Sequence, residues 1–187
     1  MNVGVLALQG GFAAHARMLT RVGAVPVLVR TPADLDGVGA LVLPGGESTA
    51  MLVGMARDGL EAPLRSFVRS GKPVLGTCAG AILLAHAVTA PAQRSFDALD
   101  VDVERNAYGT QLDSFAAVVD AGGAFPDLPA VFIRAPRIVR VGRGVEVLAR
   151  VACDPVLVRS GSTWAATFHP ELGDDARVHG AWLHEVS

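Results

Sequence analysis

Apolar residues in the first third of the chain fall in short continuous runs, and longer stretches with helical spacing separate them. The runs are "VGVLAL" (3–8), "VPVLV" (25–29), "ALVLP" (40–44) and "PVLG" (73–76). Between the first two, "GGFAAHARMLTRVG" places Phe12, His15, Leu19 and Val22 on one helical stripe. Between the last two, "STAMLVGMARDGLEAPLRSFVRSG" carries helical spacing, with Gly71 and Pro73 as stop signals. Continuous apolar strands joined by helices predict a parallel sheet covered on both faces. Past residue 95 the texture changes. "FAAVVD", "AVFIRAP", "VEVLARV", "DPVLVR" and "TWAATF" read as strands with little helix between them, which predicts antiparallel pairing. The tail "DDARVHGAWLHEV" predicts a closing helix with Asp174 or Asp175 near its start. No internal repeat, low-complexity tract or linker interrupts the pattern. The expected architecture is one α/β domain over 1–187: three layers, a mostly parallel central sheet flanked by helices, and additional antiparallel strands in the second half.

Composition narrows the function classes. At 187 residues, 51% hydrophobic and 18% charged, the chain can bury a core unaided and does not resemble a disordered segment. The net charge of −2 and the scattered basic residues give no footprint for nucleic acid. The start shows no basic region followed by a cleavage site, so no signal peptide is expected. No apolar run reaches the roughly 20 residues that span a bilayer. The two cysteines, Cys78 and Cys153, cannot build a disulfide framework, which predicts a reducing, cytoplasmic setting.

One of these cysteines sits in "LGTCAG" (75–80), where an apolar strand gives way to the helical "AILLAHAV". This is the layout of a nucleophile elbow, whose tight turn lifts the central side chain above the C-terminal edge of the sheet. Gly76 and Gly80 fit because larger side chains would meet the neighbouring strand and helix. A free cysteine, with a pKa of about 8.5, is only a few per cent thiolate at pH 7, and a helix N-terminus favours the ionised form. Taken alone, the pentapeptide is also compatible with a small buried residue in a tight turn. Cys153, in "VACDPVLV", lacks such a context and is expected to pack.

A cysteine nucleophile needs a base and a group to orient it. Of five histidines, His86, His179 and His184 fall in segments read as helical, and His15 lies on the first predicted helix. All four are expected at the surface or the core edge. His169 differs: it ends "TWAATF", begins "HPEL", and has Glu171 two residues on, a spacing that puts both side chains on one side of extended backbone. The chain order cysteine, histidine, glutamate is one permitted order for nucleophile, base and orienter. In "LVLPGGEST", Gly45 and Gly46 follow a strand and let backbone N–H groups turn toward a ligand. With the N–H of Ala79 they are candidates for an oxyanion hole. The same loop also reads as a strand-to-helix turn capped by Ser48 or Thr49. It is no phosphate loop, since the spacing of that motif is absent.

Together, "ALQGG", "LPGGEST", "GTCAG", "ERNAYG", "FIRAP" and "FHPEL", in that order, resemble the class I glutamine amidotransferases, and more narrowly the glutaminase subunits of pyridoxal 5′-phosphate synthases. The resemblance runs from residue 3 to about 172. It implies a flavodoxin-like three-layer fold and hydrolysis of L-glutamine to glutamate and ammonia. It also implies ammonia delivery to a separate (β/α)₈-barrel synthase, in a hetero-oligomer of many paired subunits, for vitamin B6 biosynthesis. No metal or organic cofactor is implied. Carried over by motif, Cys78 is the nucleophile and His169 and Glu171 the relay pair. Gly46, Glu47, Ser48, Arg105, Ile133 and Arg134 would contact glutamine, whose carboxylate and ammonium ask for complementary charge and donors. Thr110 departs from the basic residue expected after "RNAYG", and the stretch "AHAVTAPAQRSF" follows the family loosely. Three alternatives stay open on the residues: a glutaminase serving another synthase, a cysteine amidase or peptidase on the same scaffold, and a glutamine-binding module without turnover.

Overall fold

The computed structural model describes residues 1–105, 114–121 and 125–184. Five strands form the parallel heart of the sheet: β1 (Asn2–Leu6), β2 (Val25–Val29), β3 (Ala40–Leu43), β4 (Val74–Thr77) and β12 (Thr163–Ala166). With β10 (Glu146–Val151) and β11 (Asp154–Ser160) they make a seven-stranded sheet in the order β10-β11-β12-β4-β3-β1-β2. Val3 pairs with Ala40, Leu41 with Val74 and Ala165 with Gly76, so the C-terminal ends of β3, β4 and β12 share one rim.

The continuous apolar runs follow from a sheet buried on both faces. Leu6, Leu41 and Leu43 enter one core, with Met51, Met55, Leu64 and Phe67 of helices α2 (Ser48–Arg57) and α3 (Glu61–Arg69). The intervening Val3, Val5, Ala40 and Val42 enter a second core, with Leu19 of α1 (Phe12–Arg21) and Val178 and Trp182 of α5 (Arg177–His184). Successive strand residues point to opposite faces, and each face is dry, so no position in these runs can be polar. Two small sheets extend the layers. β5 (Ala85–Thr89), β6 (Leu99–Glu104) and β9 (Arg137–Val141) pack with the first core; the β7 (Ser114–Val119) and β8 (Leu128–Ile133) hairpin packs with the second.

The three-layer α/β reading holds, with local corrections. The helix after the elbow, α4 (Ala79–Leu84), is only six residues long, and "AHAVT" is strand β5, so His86 stands on a strand rather than a helix. β6 went unread, although Leu99, Val101 and Val103 alternate as its buried residues. "TWAATF" pairs antiparallel with β11 on one side but parallel with β4 on the other. The single helical stretch over 48–71 is two helices, broken at Gly59, whose φ of +70° ends α2. Cys153 is exposed rather than packed, because the β10–β11 connection is a tight turn that leaves it in solvent. Thr110, with most of "ERNAYG", lies outside the described residues.

Candidate active site

The elbow forms where β4 ends. Cys78 has φ +48° and ψ −103°, a backbone conformation that side-chain-bearing residues rarely adopt, and it caps α4. Its N–H donates to the Ala166 carbonyl (2.8 Å) and its carbonyl accepts from Ile82 N–H (3.2 Å), so strand and helix hold the turn from both sides. The flanking glycines are dictated by space. A β-carbon at Gly76 would stand 2.7 Å from the Gly80 backbone, and one at Gly80 would run into the Leu43 carbonyl oxygen. Cys78 itself is only 6% exposed.

β12 delivers the second group. His169 follows it by three residues, and its N–H donates to the Val131 carbonyl of β8 (2.8 Å), fixing the corner. The His169 ring stands beside Cys78, both packing against Gly45, and its Nδ1 lies 2.7 Å from Glu171 Oε1. The contact is made by a turn, not by extended backbone as the sequence suggested: Leu172 N–H donates to the His169 carbonyl (3.2 Å), with Pro170 and Glu171 at the turn's centre. Burial would lower the His169 pKa, but the hydrogen bonds to Cys78 and Glu171, and the charges of both, push it up to about 10. Burial would likewise raise the Glu171 carboxyl, yet the histidines His15 and His169 hold it below the usual range. A protonated His169 between the sulfur and a carboxylate is the charge arrangement a thiolate nucleophile uses.

His15 and His179 are corrections to the sequence reading, since both are fully buried beneath this pair. His15 Nε2 lies 3.0 Å from Thr77 Oγ1 and 3.3 Å from Glu171 Oε2, and its Nδ1 lies 2.9 Å from His179 Nε2. The available signal was the position of His15 on the apolar stripe with Phe12 and Leu19, which points inward.

A cleft of about 180 Å³ opens over the cysteine. Its walls bring together the sequence-selected Gly46, Glu47, Ser48, Cys78, Arg105, Ile133, Arg134 and His169, and add Ile82 and Pro136. Arg105 Nη2 donates to Glu47 Oε1 (3.0 Å) and to Thr49 Oγ1 (3.1 Å). The Glu47 carboxylate also accepts from Thr49 and Ala50 N–H, so Glu47, not Ser48 or Thr49, caps α2. The Ser48 hydroxyl bonds to Gln93 Oε1 (2.8 Å). Ile133 presents its carbonyl 4.0 Å from Cys78 Sγ, and Arg134 follows it in the cleft wall with φ +43°. Gly45 and Gly46 lie on the rim beside Cys78; Gly11 N–H donates to the Gly45 carbonyl (3.0 Å) and Gln9 Nε2 to the Glu47 carbonyl (2.7 Å), which anchors the loop. Ala79 opens α4 directly after the cysteine.

A cysteine on an elbow, faced by an imidazole–carboxylate pair beneath a charged cleft on a parallel sheet, marks the glutamine amidotransferase class of α/β proteins. The chain belongs to the SNO glutamine amidotransferase family, which it matches over residues 5–187. It is 53% identical to the pyridoxal 5′-phosphate synthase subunit PdxT of Solibacter usitatus, over 99% of each chain. It is 47% identical to the protein of that name from Deinococcus radiodurans, over 98% of this chain and 96% of the relative. A crystal structure of a glutamine amidotransferase superposes with a TM-score of 0.91 at 45% identity, covering 98% of both chains. The structure of PurLQS from Thermotoga maritima, at 18% identity and a TM-score of 0.71, covers 100% of this chain and 99% of that one and shares the fold alone.

Proposed function

We propose that this chain is the glutaminase subunit of a pyridoxal 5′-phosphate synthase. It hydrolyses L-glutamine to L-glutamate and ammonia within one domain over 1–187, and passes the ammonia to a (β/α)₈-barrel synthase subunit. The observation that carries the reading is the placement of His169, which shares the cleft wall with Cys78 while its Nδ1 lies 2.7 Å from Glu171 Oε1. The relatives' names supply the synthase. A reducing cytoplasm fits a nucleophile that must stay a free thiol.

The Cys78 thiolate attacks the side-chain amide carbon of glutamine. The developing oxyanion is met by N–H groups of Gly45, Gly46 and Ala79. The His169 imidazolium, held by Glu171, gives its proton to the departing ammonia as the carbon–nitrogen bond breaks, leaving a γ-glutamyl thioester and a neutral imidazole. That imidazole then takes a proton from water, whose oxygen attacks the thioester; glutamate leaves and the sulfur is regenerated. At the far end of the cleft, Arg105 suits the substrate carboxylate and Glu47 its ammonium, with Ser48, Ile133 and Arg134 lining the approach.

The test is ammonia release from L-glutamine, measured with and without the cognate synthase subunit. Turnover with the synthase and its loss in Cys78→Ala support the reading; a Cys78→Ala protein that still hydrolyses glutamine overturns the nucleophile assignment.

A further inference from the structure

From Glu171 a chain of buried polar side chains runs inward to groups that the steps above do not use. Thr77, His15, Glu171 and His179 are each at most 2% exposed, and they come from β4, α1, the turn after β12 and α5. Two uncharged imidazoles in an apolar core cost free energy unless their hydrogen bonds achieve something that packing cannot.

The proton positions follow from the partners. His179 Nδ1 is buried and finds no hydrogen-bond partner among the described residues. An orphaned N–H there would be costlier than an orphaned lone pair, so the His179 proton sits on Nε2 and is donated to His15 Nδ1. His15 is neutral: burial lowers its pKa, Glu171 only partly offsets that, and His169 lowers it further. With Nδ1 acting as acceptor, the His15 proton is on Nε2, facing Thr77 Oγ1 and Glu171 Oε2. Oε1 is held by His169, whereas Oε2 is buried with no hydrogen-bond partner among the described residues and has the polar His15 Nε2–H 3.3 Å away, a contact of electrostatic attraction rather than an aligned hydrogen bond. Space is reserved for the carboxylate as well, since a β-carbon at Gly11 would come within 2.8 Å of Oε1.

We propose that His15 is a positioning residue of the glutaminase reaction: its Nε2–H, anchored on Thr77 Oγ1, electrostatically attracts the otherwise unpartnered Oε2 of the Glu171 carboxylate that orients His169, and His179 sets the tautomer that puts the proton there. The inference rests on the reading of Cys78, His169 and Glu171 as the reacting set. The titratable groups facing His15 are Glu171 and His169 from the turn after β12 and His179 from α5; Thr77 of β4 does not titrate.

The experiment compares His15→Leu, His15→Gln and Glu171→Gln, each assayed with the synthase subunit. His15→Leu removes the donor and is expected to lower kcat roughly 10- to 100-fold, the scale of a misplaced reacting group, with KM for glutamine within about twofold. His15→Gln, whose amide nitrogen reaches the position of imidazole Nε2, is expected to recover most of that loss. His169, followed by NMR, is expected to titrate at lower pH in His15→Leu than in the parent. A folded His15→Leu with parental kcat and parental His169 titration overturns the proposal, as does a His15→Gln as impaired as the leucine variant. If His15→Leu does not fold, the ring ¹⁵N spectrum of the unaltered protein decides: a neutral His15 carrying its proton on Nε2 supports the proposal, and a protonated ring or the other tautomer at pH 7 overturns it. Full activity in Glu171→Gln would instead overturn the relay reading itself, so the two failures are distinguishable.

Discussion

Gly45 lies so close beneath His169 that a β-carbon there would run into imidazole Cε1 and stand 2.8 Å from Nδ1. The same β-carbon would be 3.4 Å from Cys78 Cβ. This glycine therefore makes room for the ring beside the sulfur and the carboxylate.

Gly45→Ala is accordingly expected to push the imidazole off its line to Glu171 and to lower kcat by about 10²-fold, the cost of a displacement near 1 Å at a reacting group. Steady-state kinetics with the synthase subunit check it. Activity within about threefold of the parent would mean that the loop yields more readily than the contact implies.

The raised pKa of His169 makes stability depend on pH in a defined window. In the native state the proton stays on the ring up to about 10, against 6.5 for the unperturbed group. The contribution is fully present below about pH 6.5 and is lost as pH rises through about 10, because the unfolded chain then binds fewer protons. Glu171 acts with the opposite sense. Its carboxyl is held below 4.5, so its contribution is present above that value and lost as pH falls through the lower native pKa. Urea midpoints measured between pH 6 and 10 are expected to fall for the parent and to be flatter for His169→Asn. Parallel curves would show that His169 does not hold its proton.

Much of this was legible locally. The dry, two-faced sheet leaves no place for polar side chains from Val3 to Leu6 of β1 or anywhere in β3, so those runs stand out without any knowledge of their partners. Gly76 and Gly80 are required by contacts with their own turn and the neighbouring strand, and Pro170 sits where a turn favours it, so elbow and turn both left short signatures. What stayed hidden depends on distant contacts. His15 meets Thr77 across 62 positions and His179 across 164, and a histidine on an amphipathic helix reads the same whether its partner is water or a buried carboxylate. β6 was missed because its register is set by β5 and β9, while its own charged residues resemble a loop.

Arg105 is 15% exposed at the side chain, lines the cleft, and is held by Glu47 and Thr49. If it receives the carboxylate of glutamine, Arg105→Ala removes a charge-assisted hydrogen bond present in ground state and transition state alike. The loss is about 1.5–3 kcal/mol, or roughly 10- to 100-fold in KM, with kcat changed far less. Arg105→Lys is expected to restore little, since a compact ammonium cannot span the substrate and Glu47 together as a planar fork does. A kcat loss exceeding the KM rise would place Arg105 nearer the reacting carbon than the cleft suggests.

Cys78 carries the strain of the elbow in its own backbone. At φ +48° and ψ −103° a residue with a β-carbon is held at a cost of about 1–3 kcal/mol, whereas glycine adopts positive φ freely and loses roughly 0.5–1 kcal/mol to chain entropy. Both Cys78→Ala and Cys78→Gly remove the sulfur, so neither should hydrolyse glutamine. They differ only in whether the β-carbon, and with it the strain, remains. The usual preference for alanine over glycine beside a helix is therefore expected to invert here, with Cys78→Gly more stable than Cys78→Ala by about 1 kcal/mol. Urea denaturation of the two inactive proteins reads the difference directly. A glycine variant less stable than the alanine one would mean that the surrounding strand and helix, through Ala166 and Ile82, accommodate the turn without strain.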